Sequence, residues 1–248
     1  MTALVAAPGE RLNRYLARRG VASRRAADEL IASGRVHVNG AVAEVGARID
    51  INADRVEVDG ERIAAELPTS VTLVLNKPPG VLTTLSDPQR RPTVRELVPV
   101  IPGLVPIGRL DSDSRGLLLL TSDGELAHRV AHPRHGVHKT YRVTATATLS
   151  DAQLERLLDG LLLDDGPARA LEVRRVDAAV VEVVMGEGRK RLVRRLFNAV
   201  GARVGDLCRT RIGPIELGGL REGTTRTLDQ AEMRALREAA GAAHPQRP

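Results

Sequence analysis

From Val71 onward the chain alternates between short apolar runs and amphipathic helical patterns, and this alternation constrains the fold more than any other feature. The runs VTLVLN and LLLLTS are typical of buried strands. Further strands are indicated by YRVTATATL, LEVRRVD and AAVVEVVM, and helices by SDAQLERLLDGL, KRLVRRLFNAVG and DQAEMRALREAA. Because strands here pair by hairpins as well as across helices, we predict an α+β domain with a mixed, largely antiparallel sheet flanked by helices.

A smaller pattern precedes this domain. Leu12 and Leu16 indicate a short amphipathic helix, and Ser23 is a suitable N-cap for a second one. Alternating valines and the turn dipeptides Asn39-Gly40 and Asp59-Gly60 predict small antiparallel strands after the helices. The N-terminal part is therefore expected to be a compact α+β module of its own.

These patterns divide the chain of 248 residues into four parts. We predict the small module at 9–66, a linker at 67–70, the main domain at 71–240 and a disordered tail at 241–248. With 42% hydrophobic residues the chain can form an ordinary folded core.

Composition excludes several classes of protein. No apolar run approaches the roughly 18–20 residues that cross a bilayer, and the N-terminal residues lack the pattern of a signal peptide. A lone Cys208 excludes an internal disulfide framework and a multi-thiolate metal site. The three aromatic residues are too few for a surface that stacks several bases. We expect a soluble, cytoplasmic protein with no membrane contact.

Charge is segregated within the small module. Residues 10–35 contain seven arginines and three acidic residues, whereas residues 36–66 contain three arginines and seven acidic residues. A basic helical pair beside an acidic half predicts a surface that faces nucleic-acid phosphates. Its candidate contacts include Arg11, Arg14, Arg24 and Arg25.

A polar, charged loop lies directly ahead of the apolar strand LLLLT, so Asp111 is expected at the rim of a buried sheet. The spacing of Asp111, Asp113 and Gly116 resembles the start of a calcium-binding loop. Arg115 at the fifth position and Ser122 at the twelfth exclude that interpretation.

The residues of this loop by themselves allow two further interpretations. Asp111 and Asp113 could form a two-carboxylate hydrolase or metal site, although Arg109 and Arg115 flank them and no histidine is close in sequence. Alternatively, one carboxylate acts as nucleophile or base and is held ionised by an arginine at contact distance.

The segment GRLDSDSRGLLLLTSDG resembles the signature of the pseudouridine synthases that act on ribosomal RNA, in the branch that contains RsuA and RluB. Other segments resemble further motifs of that family: 76–80 (NKPPG), 138–143 (HKTYRV), 187–197 (EGRKRLVRRLF) and 211–214 (RIGP). Residues 11–40 resemble the alpha-L RNA-binding domain found ahead of this branch's catalytic domain. All three lysines and all three aromatic residues lie within these segments.

The resemblance implies an enzyme that flips a uridine out of the RNA and isomerises it to pseudouridine without a cofactor or metal. It implies that Asp111 is the catalytic carboxylate, attacking the sugar, attacking the ring or removing a proton. Tyr141 is expected against the uracil face. Arg194 is expected to keep Asp111 charged and oriented.

The resemblance also implies contacts with RNA around the site. Lys77 and the turn after it are expected to shape the site. The full set of expected RNA-binding residues is Arg109, Arg11, Arg14, Arg24, Arg25, Lys77, Lys139, Arg189 and Lys190.

The expected partner is ribosomal RNA or a pre-ribosomal particle, with large-subunit RNA favoured, and the protein is expected to be a monomer. Two rival functions differ in class. One is a non-catalytic RNA-binding or ribosome-assembly factor, which has no reason to keep Asp111, Tyr141 and Arg194 together. The other is a metal-dependent nuclease, which lacks a convincing ligand set.

Three further details bear on the site. Ser114 and Leu192 stand where the family usually has threonine and often has glutamine; the first change keeps a hydroxyl and the second loses a hydrogen bond. Four of the six histidines lie within residues 128–138. Because Pro133 and Gly136 break the helix there, we interpret these histidines as loop and helix-end residues rather than as zinc ligands.

Overall fold

The structure is a computed structural model that describes residues 9–64 and 70–241. The predicted linker at 67–70 and tail at 241–248 therefore lie outside the described residues, except for Ser70 and Gly241. The described residues form two compact units. The first unit comprises 9–64, 70–71, 100–104 and 122–124, and the second comprises 72–99, 105–121 and 125–241.

The first unit contains two helices, α1 (Leu12–Arg18) and α2 (Arg24–Ala32). The Ser23 hydroxyl accepts a hydrogen bond from the Ala26 N–H at 3.2 Å, which confirms the predicted N-cap of α2. The apolar sides of both helices pack on buried side chains of short strands. The strands of this unit are β1 (Glu10–Arg11), β2 (Val36–Val38), β3 (Ala41–Val42), β4 (Arg48–Ile49), β5 (Val56–Val58) and β6 (Glu61–Arg62), and the buried side chains come from β2, β4 and β5.

Strands β2, β3, β5 and β6 form a four-stranded antiparallel sheet in the order β3-β2-β5-β6. Both predicted turn dipeptides connect its hairpins. Each places two consecutive residues at positive φ, 52° and 82° for Asn39-Gly40 and 53° and 80° for Asp59-Gly60. Asparagine, aspartate and glycine tolerate this backbone conformation best, so the turn chemistry specifies the hairpins.

The second unit contains a nine-stranded sheet and four helices. The helices are α3 (Gly124–Ala131), α4 (Asp151–Asp159), α5 (Leu192–Ala199) and α6 (Gln230–Gly241). The strands are β7 (Thr72–Lys77), β8 (Val105–Pro106), β9 (Arg115–Thr121), β10 (Lys139–Ala145), β11 (Leu161–Leu163), β12 (Gly166–Ala168), β13 (Glu172–Asp177), β14 (Val180–Met185), β15 (Val204–Ile212), β16 (Ile215–Glu216) and β17 (Thr225–Thr227). Strands β11 and β12 form a separate hairpin.

The main strand order is β13-β14-β10-β15-β9-β7-β17, with β16 paired to β15 and β8 paired to β9. Only β9 and β15 run parallel; the other pairs in this sheet are antiparallel. The predicted mixed, largely antiparallel sheet is therefore confirmed. Every strand and helix that we predicted in the second unit is also present.

Two hydrophobic clusters hold the helices of the second unit in place. Helices α4 and α5 pack into one of them through side chains such as Leu157 and Phe197. Helices α3 and α6 pack into the other through Leu126, Val130 and Leu236. Among the described helices, none is both long enough and apolar enough to cross a membrane.

Candidate active site

A cavity of about 260 Å³ lies in the second unit, beside the loop that precedes β9. Its wall is formed by residues 107–111 of that loop, by β10, by 187–193 ahead of and in α5, and by β15. Asp111 and Tyr141 both line it, as the sequence predicted. A volume of this order holds a single nucleoside but not a paired base, which suits chemistry on one base that has left its stack.

The loop that carries Asp111 is fixed by polar contacts from the segment after β7. The Thr83 hydroxyl donates to the Leu110 carbonyl at 2.6 Å and accepts from the Leu110 N–H at 3.2 Å. The Gly80 N–H donates to the Ser112 carbonyl at 2.7 Å. These bonds hold the backbone on either side of Asp111, so its side chain extends from a rigidly positioned loop.

Lys77 is part of the same support rather than an RNA contact. Its side chain is 0% exposed, and its ammonium donates to the carbonyls of Pro78 and Val81 at 2.8 Å each. Burial lowers the pKa of Lys77 to about 8. The expectation that Lys77 binds RNA is therefore wrong, because its ammonium lies inside the fold.

Gly116 allows β9 to begin beside β15. A Cβ atom at this position would lie 2.4 Å from the Arg209 carbonyl oxygen and 2.8 Å from the Cys208 sulfur, and the backbone φ is +103°. Only glycine fits both restrictions. The close approach brings the Asp111 loop next to Arg209.

The Asp111 carboxylate is half-buried, and it makes no hydrogen bond or ion pair within residues 9–64 and 70–241. The predicted contact between Arg194 and Asp111 is wrong: Arg194 contacts Asp113 instead. Its Nε lies 3.4 Å from Asp113 Oδ2, and its Nη2 donates to the Asp113 carbonyl at 2.9 Å. The physical reason is a turn closed by the Ser114 N–H and the Asp111 carbonyl, at 3.1 Å, which directs Asp113 toward α5.

Asp113 connects the loop to α5 through two arginines. Arg191 donates to both carboxylate oxygens at 3.1 and 2.9 Å, and Arg194, one helical turn later, reaches the same residue. Partial burial favours the neutral acid, but the hydrogen bonds from Arg191 and the charge of Arg194 outweigh it and lower the pKa of Asp113. Asp113 therefore stays ionised at neutral pH and holds the loop to the helix.

The two departures from the family pattern have different consequences. The Ser114 hydroxyl lies 3.4 Å from Arg194 Nη2 and accepts from it, so the hydroxyl that threonine would supply is kept. Leu192 is buried and lines the cavity, so this position packs against neighbours where a glutamine could donate a hydrogen bond.

Tyr141 and Arg209 are directly opposite each other on β10 and β15. The Arg209 guanidinium carbon lies 5.9 Å from the centroid of the Tyr141 ring, and Nη1 lies 3.5 Å from the Tyr141 hydroxyl oxygen. Nη1 also donates to the Arg109 carbonyl at 3.1 Å. Arg209 thus joins the tyrosine strand to the Asp111 loop.

Lys139 lies two residues before Tyr141, on the same face of β10. It is 9% exposed and lines the cavity, and its ammonium lies 3.4 Å from the Val130 carbonyl. Burial, and secondarily the charge of Arg209, lower the pKa of Lys139 to about 8. Because Lys139 lies in the cavity wall, its ammonium can contact only a ligand that enters the cavity.

The other predicted RNA-binding residues of this unit differ in availability. Arg109 and Lys190 line the cavity, are exposed, and have no side-chain partner within the described parts of the chain. All three nitrogens of Arg189 are engaged, for example by Glu187 at 2.6 and 2.9 Å and by the Pro167 carbonyl at 2.6 Å. These donors stabilise the surrounding loops, and the expectation that Arg189 binds RNA stays a prediction.

Arg11, just ahead of α1, and the arginines of α1 and α2 form a separate candidate nucleic-acid interface in the first unit. Arg11, Arg24 and Arg25 are exposed and have no side-chain partner among the residues that the structure describes. Arg14 is also exposed and lies 3.4 Å from Glu10. The guanidinium groups of Arg11, Arg24 and Arg25 are therefore available to bind phosphates.

The histidines of the α3 end lie close together without forming a metal site. The rings of His128, His132 and His135 have centroids 5.5–6.3 Å apart. Across the described part of the chain, no group of three or more histidine, cysteine or acidic side chains is arranged to hold a metal ion.

Sequence reasoning missed three residues of the site: Thr83, Arg191 and Arg209. Thr83 lies in a loop with no pattern that separates it from other polar residues. Arg191 lies within the motif at 187–197, but the sequence does not show that its backbone adopts a left-handed conformation, with a φ of 52°. Arg209 lies in VGDLCRTRI beside Asp206 and Arg211, so no local pattern separates it from the other charges of the strand.

Comparison with known proteins agrees with this geometry. The family model of the RNA pseudouridylate synthases matches residues 71–199, and the S4 domain matches residues 10–53. The chain is 45% identical over 240 residues to an uncharacterized RNA pseudouridine synthase of Mycobacterium leprae, with 93% of each chain covered. It is 41% identical over 245 residues to ribosomal large subunit pseudouridine synthase B of Pseudomonas aeruginosa, covering 94% of this chain and 63% of that protein.

A solved structure extends the likeness to three dimensions. A crystal structure of a pseudouridylate synthase matches with a TM-score of 0.67 and 31% identity, covering 92% of this chain and 100% of the other. The family model, the S4 domain and this structural match place the chain in the class of RNA-modifying isomerases. The chain belongs to the RNA pseudouridylate synthase family.

Proposed function

We propose that this enzyme converts one particular uridine of large-subunit ribosomal RNA to pseudouridine, with Asp111 as the catalytic carboxylate. The choice of RNA is supported by the identity with the large-subunit enzyme of Pseudomonas aeruginosa. The observation that carries the catalytic assignment is the position of Asp111. It is a half-buried carboxylate with no side-chain partner among the described residues, held by a rigid loop at the edge of the cavity.

The reaction rearranges atoms that the uridine already has. The bond from C1′ to N1 breaks with its electron pair going to the base, the base turns, and C5 forms the new bond to C1′. The C5 proton leaves and N1 takes a proton, so no oxidant, reductant or cofactor is needed. The uridine has to be flipped out first, at a cost of a few kcal/mol.

The residues of the cavity divide this work. Asp111 faces the reacting sugar and base. Tyr141, buried in the wall, lies against the uracil ring. Arg194 is a positioning residue that acts through Asp113, because its contacts are with Asp113 and Ser114. Arg109 and Lys190 contact the RNA at the cavity mouth.

The S4 domain binds phosphates through Arg11, Arg14, Arg24 and Arg25. The remaining elements of the proposal are that the protein acts as a monomer in the cytoplasm, on ribosomal RNA or on a pre-ribosomal particle.

Mapping of pseudouridine in total RNA from cells with and without the gene tests the proposal. One uridine of large-subunit RNA is expected to lose its modification in the deletion strain. It should regain the modification with the wild-type gene and not with Asp111→Asn. A lost position in another RNA contradicts the substrate, and an unchanged map contradicts the function. Restoration by Asp111→Asn points instead to an indirect, assembly role.

A further inference from the structure

Arg209 lines the cavity, and one of its donors has no partner among the described residues. It is 3% exposed, and its Nε donates to the Leu117 carbonyl at 2.8 Å while Nη1 donates to the Arg109 carbonyl. Its Nη2 is buried and has no hydrogen-bond partner within residues 9–64 and 70–241. A buried donor without a partner is unfavourable, so this group calls for a physical explanation.

Lys139 presents a second donor with few partners. Its ammonium can donate three hydrogen bonds, and the contact with the Val130 carbonyl is long, at 3.4 Å. The strand register places Lys139 on the Tyr141 face of β10, and Arg209 lies opposite Tyr141. The tyrosine ring and both cations therefore share one wall of the cavity.

Carboxylates do not neutralise this wall. Glu187, which also lines the cavity, is engaged by Arg189, and Asp111 makes no ion pair within the described residues. The wall therefore favours a ligand that offers hydrogen-bond acceptors and accommodates negative charge.

Uracil has both properties. Its O2 and O4 are acceptors, whereas cytosine has an amino donor in place of O4, which two cationic donors would repel. When the C1′–N1 bond breaks, its electron pair moves to the base, and the charge spreads onto O2 and O4. Fixed cations beside those oxygens stabilise that charge more in a buried cavity than in water.

We propose that Lys139 and Arg209 determine base specificity: the Lys139 ammonium binds a carbonyl oxygen of the flipped uracil and excludes cytosine, and the charges of Lys139 and Arg209 together stabilise the uracil anion during the reaction. This inference rests on the proposed uridine isomerisation. It also predicts that turnover falls as pH rises above about 8, because Lys139 then loses its charge.

Lys139→Met tests the inference, since methionine fills a similar volume without the charge. Arg174→Met is the matched control, because Arg174 is an exposed cation paired with Glu182 on β13 and β14. RNA labelled with tritium at uracil C5 releases the label when C5 bonds to C1′, which measures turnover. Binding is measured on two stem-loops that contain uridine or cytidine at the mapped position.

Lys139→Met should lower kcat about 100-fold or more while KM stays within a few-fold. The preference for the uridine stem-loop over the cytidine stem-loop should fall about tenfold, and Arg174→Met should change neither quantity. The kcat of the wild type should decline above pH 8, and that decline should be absent in the variant.

Wild-type kcat and wild-type base preference in folded Lys139→Met would overturn the inference. If the variant does not fold, a wild-type kcat that stays constant from pH 7 to 9.5 overturns it as well. Wild-type protein that releases no tritium from large-subunit RNA contradicts the proposed function rather than this inference.

Discussion

The arginines at the start of α1 and in α2 differ from Arg191, Arg194 and Arg209 in what holds their guanidinium groups. Arg11, Arg24 and Arg25 are exposed and have no side-chain partner among the described residues. Arg191 and Arg194 contact Asp113, and Arg209 donates to two backbone carbonyls. The first group is free to meet phosphates at many positions, whereas the second fixes the geometry of one site.

The sharpest way to break this comparison is Asp113→Asn, which keeps the shape but removes the partner of Arg191 and Arg194. Because Asp113 is partly exposed, its ion pairs contribute at most about 1 kcal/mol to stability. The displaced loop should nevertheless lower kcat by about 100-fold with KM for RNA unchanged. Steady-state kinetics and thermal melting measure the two effects.

Glu182→Gln is the matched control for Asp113→Asn, since it removes an ion pair with Arg174 between β13 and β14. It should leave kcat unchanged. A kcat for Asp113→Asn within twofold of the wild type would mean that Asp111 does not depend on this anchor.

A smaller effect is expected from Arg24→Glu with Arg25→Glu. RNA binding should weaken by about tenfold at low salt, and the slope of log affinity against log salt should fall by about two, because each lost phosphate contact removes about one unit. The kcat at saturating RNA should be unchanged. Titrations at several salt concentrations measure the slope.

The control is Arg62→Glu, an exposed arginine of β6 in the acidic half of the same unit, which should leave the slope near its wild-type value. If the double variant keeps the wild-type slope, the helical pair is not the RNA footprint.

The smallest effect is on stability. Folding lowers the pKa of Lys139 from 10.5 to about 8, so between these values the unfolded chain binds more protons and Lys139 contributes a stability that rises with pH. Lys77 contributes with the same sign. Urea unfolding at pH 7.5 and 9.5 should show a smaller gain for Lys139→Met than for the wild type. Equal gains would show that Lys139 has an ordinary pKa.

Much of the fold could be predicted from the sequence because hydrophobic residues in most strands and helices recur with one clear period. The leucines of LLLLT and the alternation in β10 specify buried strands, and α5 shows a clear apolar side. Strand β15 was not predicted, although it lies at the centre of the sheet. Its sequence VGDLCRTRI carries charges at both faces, and its place depends on the close approach that Gly116 permits.

The sequence pointed to the aspartate and the tyrosine of the site, but not to Thr83, Arg191 and Arg209 or to several of the contacts. Asp111 and Tyr141 line one cavity as expected. The error over Arg194 arose because two aspartates lie two residues apart, and the turn at 111–114 decides which one meets α5. The Lys77 side chain lies inside the fold because the Pro78 and Val81 carbonyls accept its hydrogen bonds. No local sequence pattern predicts the position of these carbonyls.

The most direct test of the central claim is Asp111→Asn assayed for tritium release and RNA binding in parallel. Asparagine keeps the shape of the side chain but can act neither as nucleophile nor as base. The account predicts turnover at least about 1,000-fold below the wild type, with RNA affinity within a few-fold. Turnover within tenfold of the wild type would contradict it, because the chemistry would then not depend on this carboxylate.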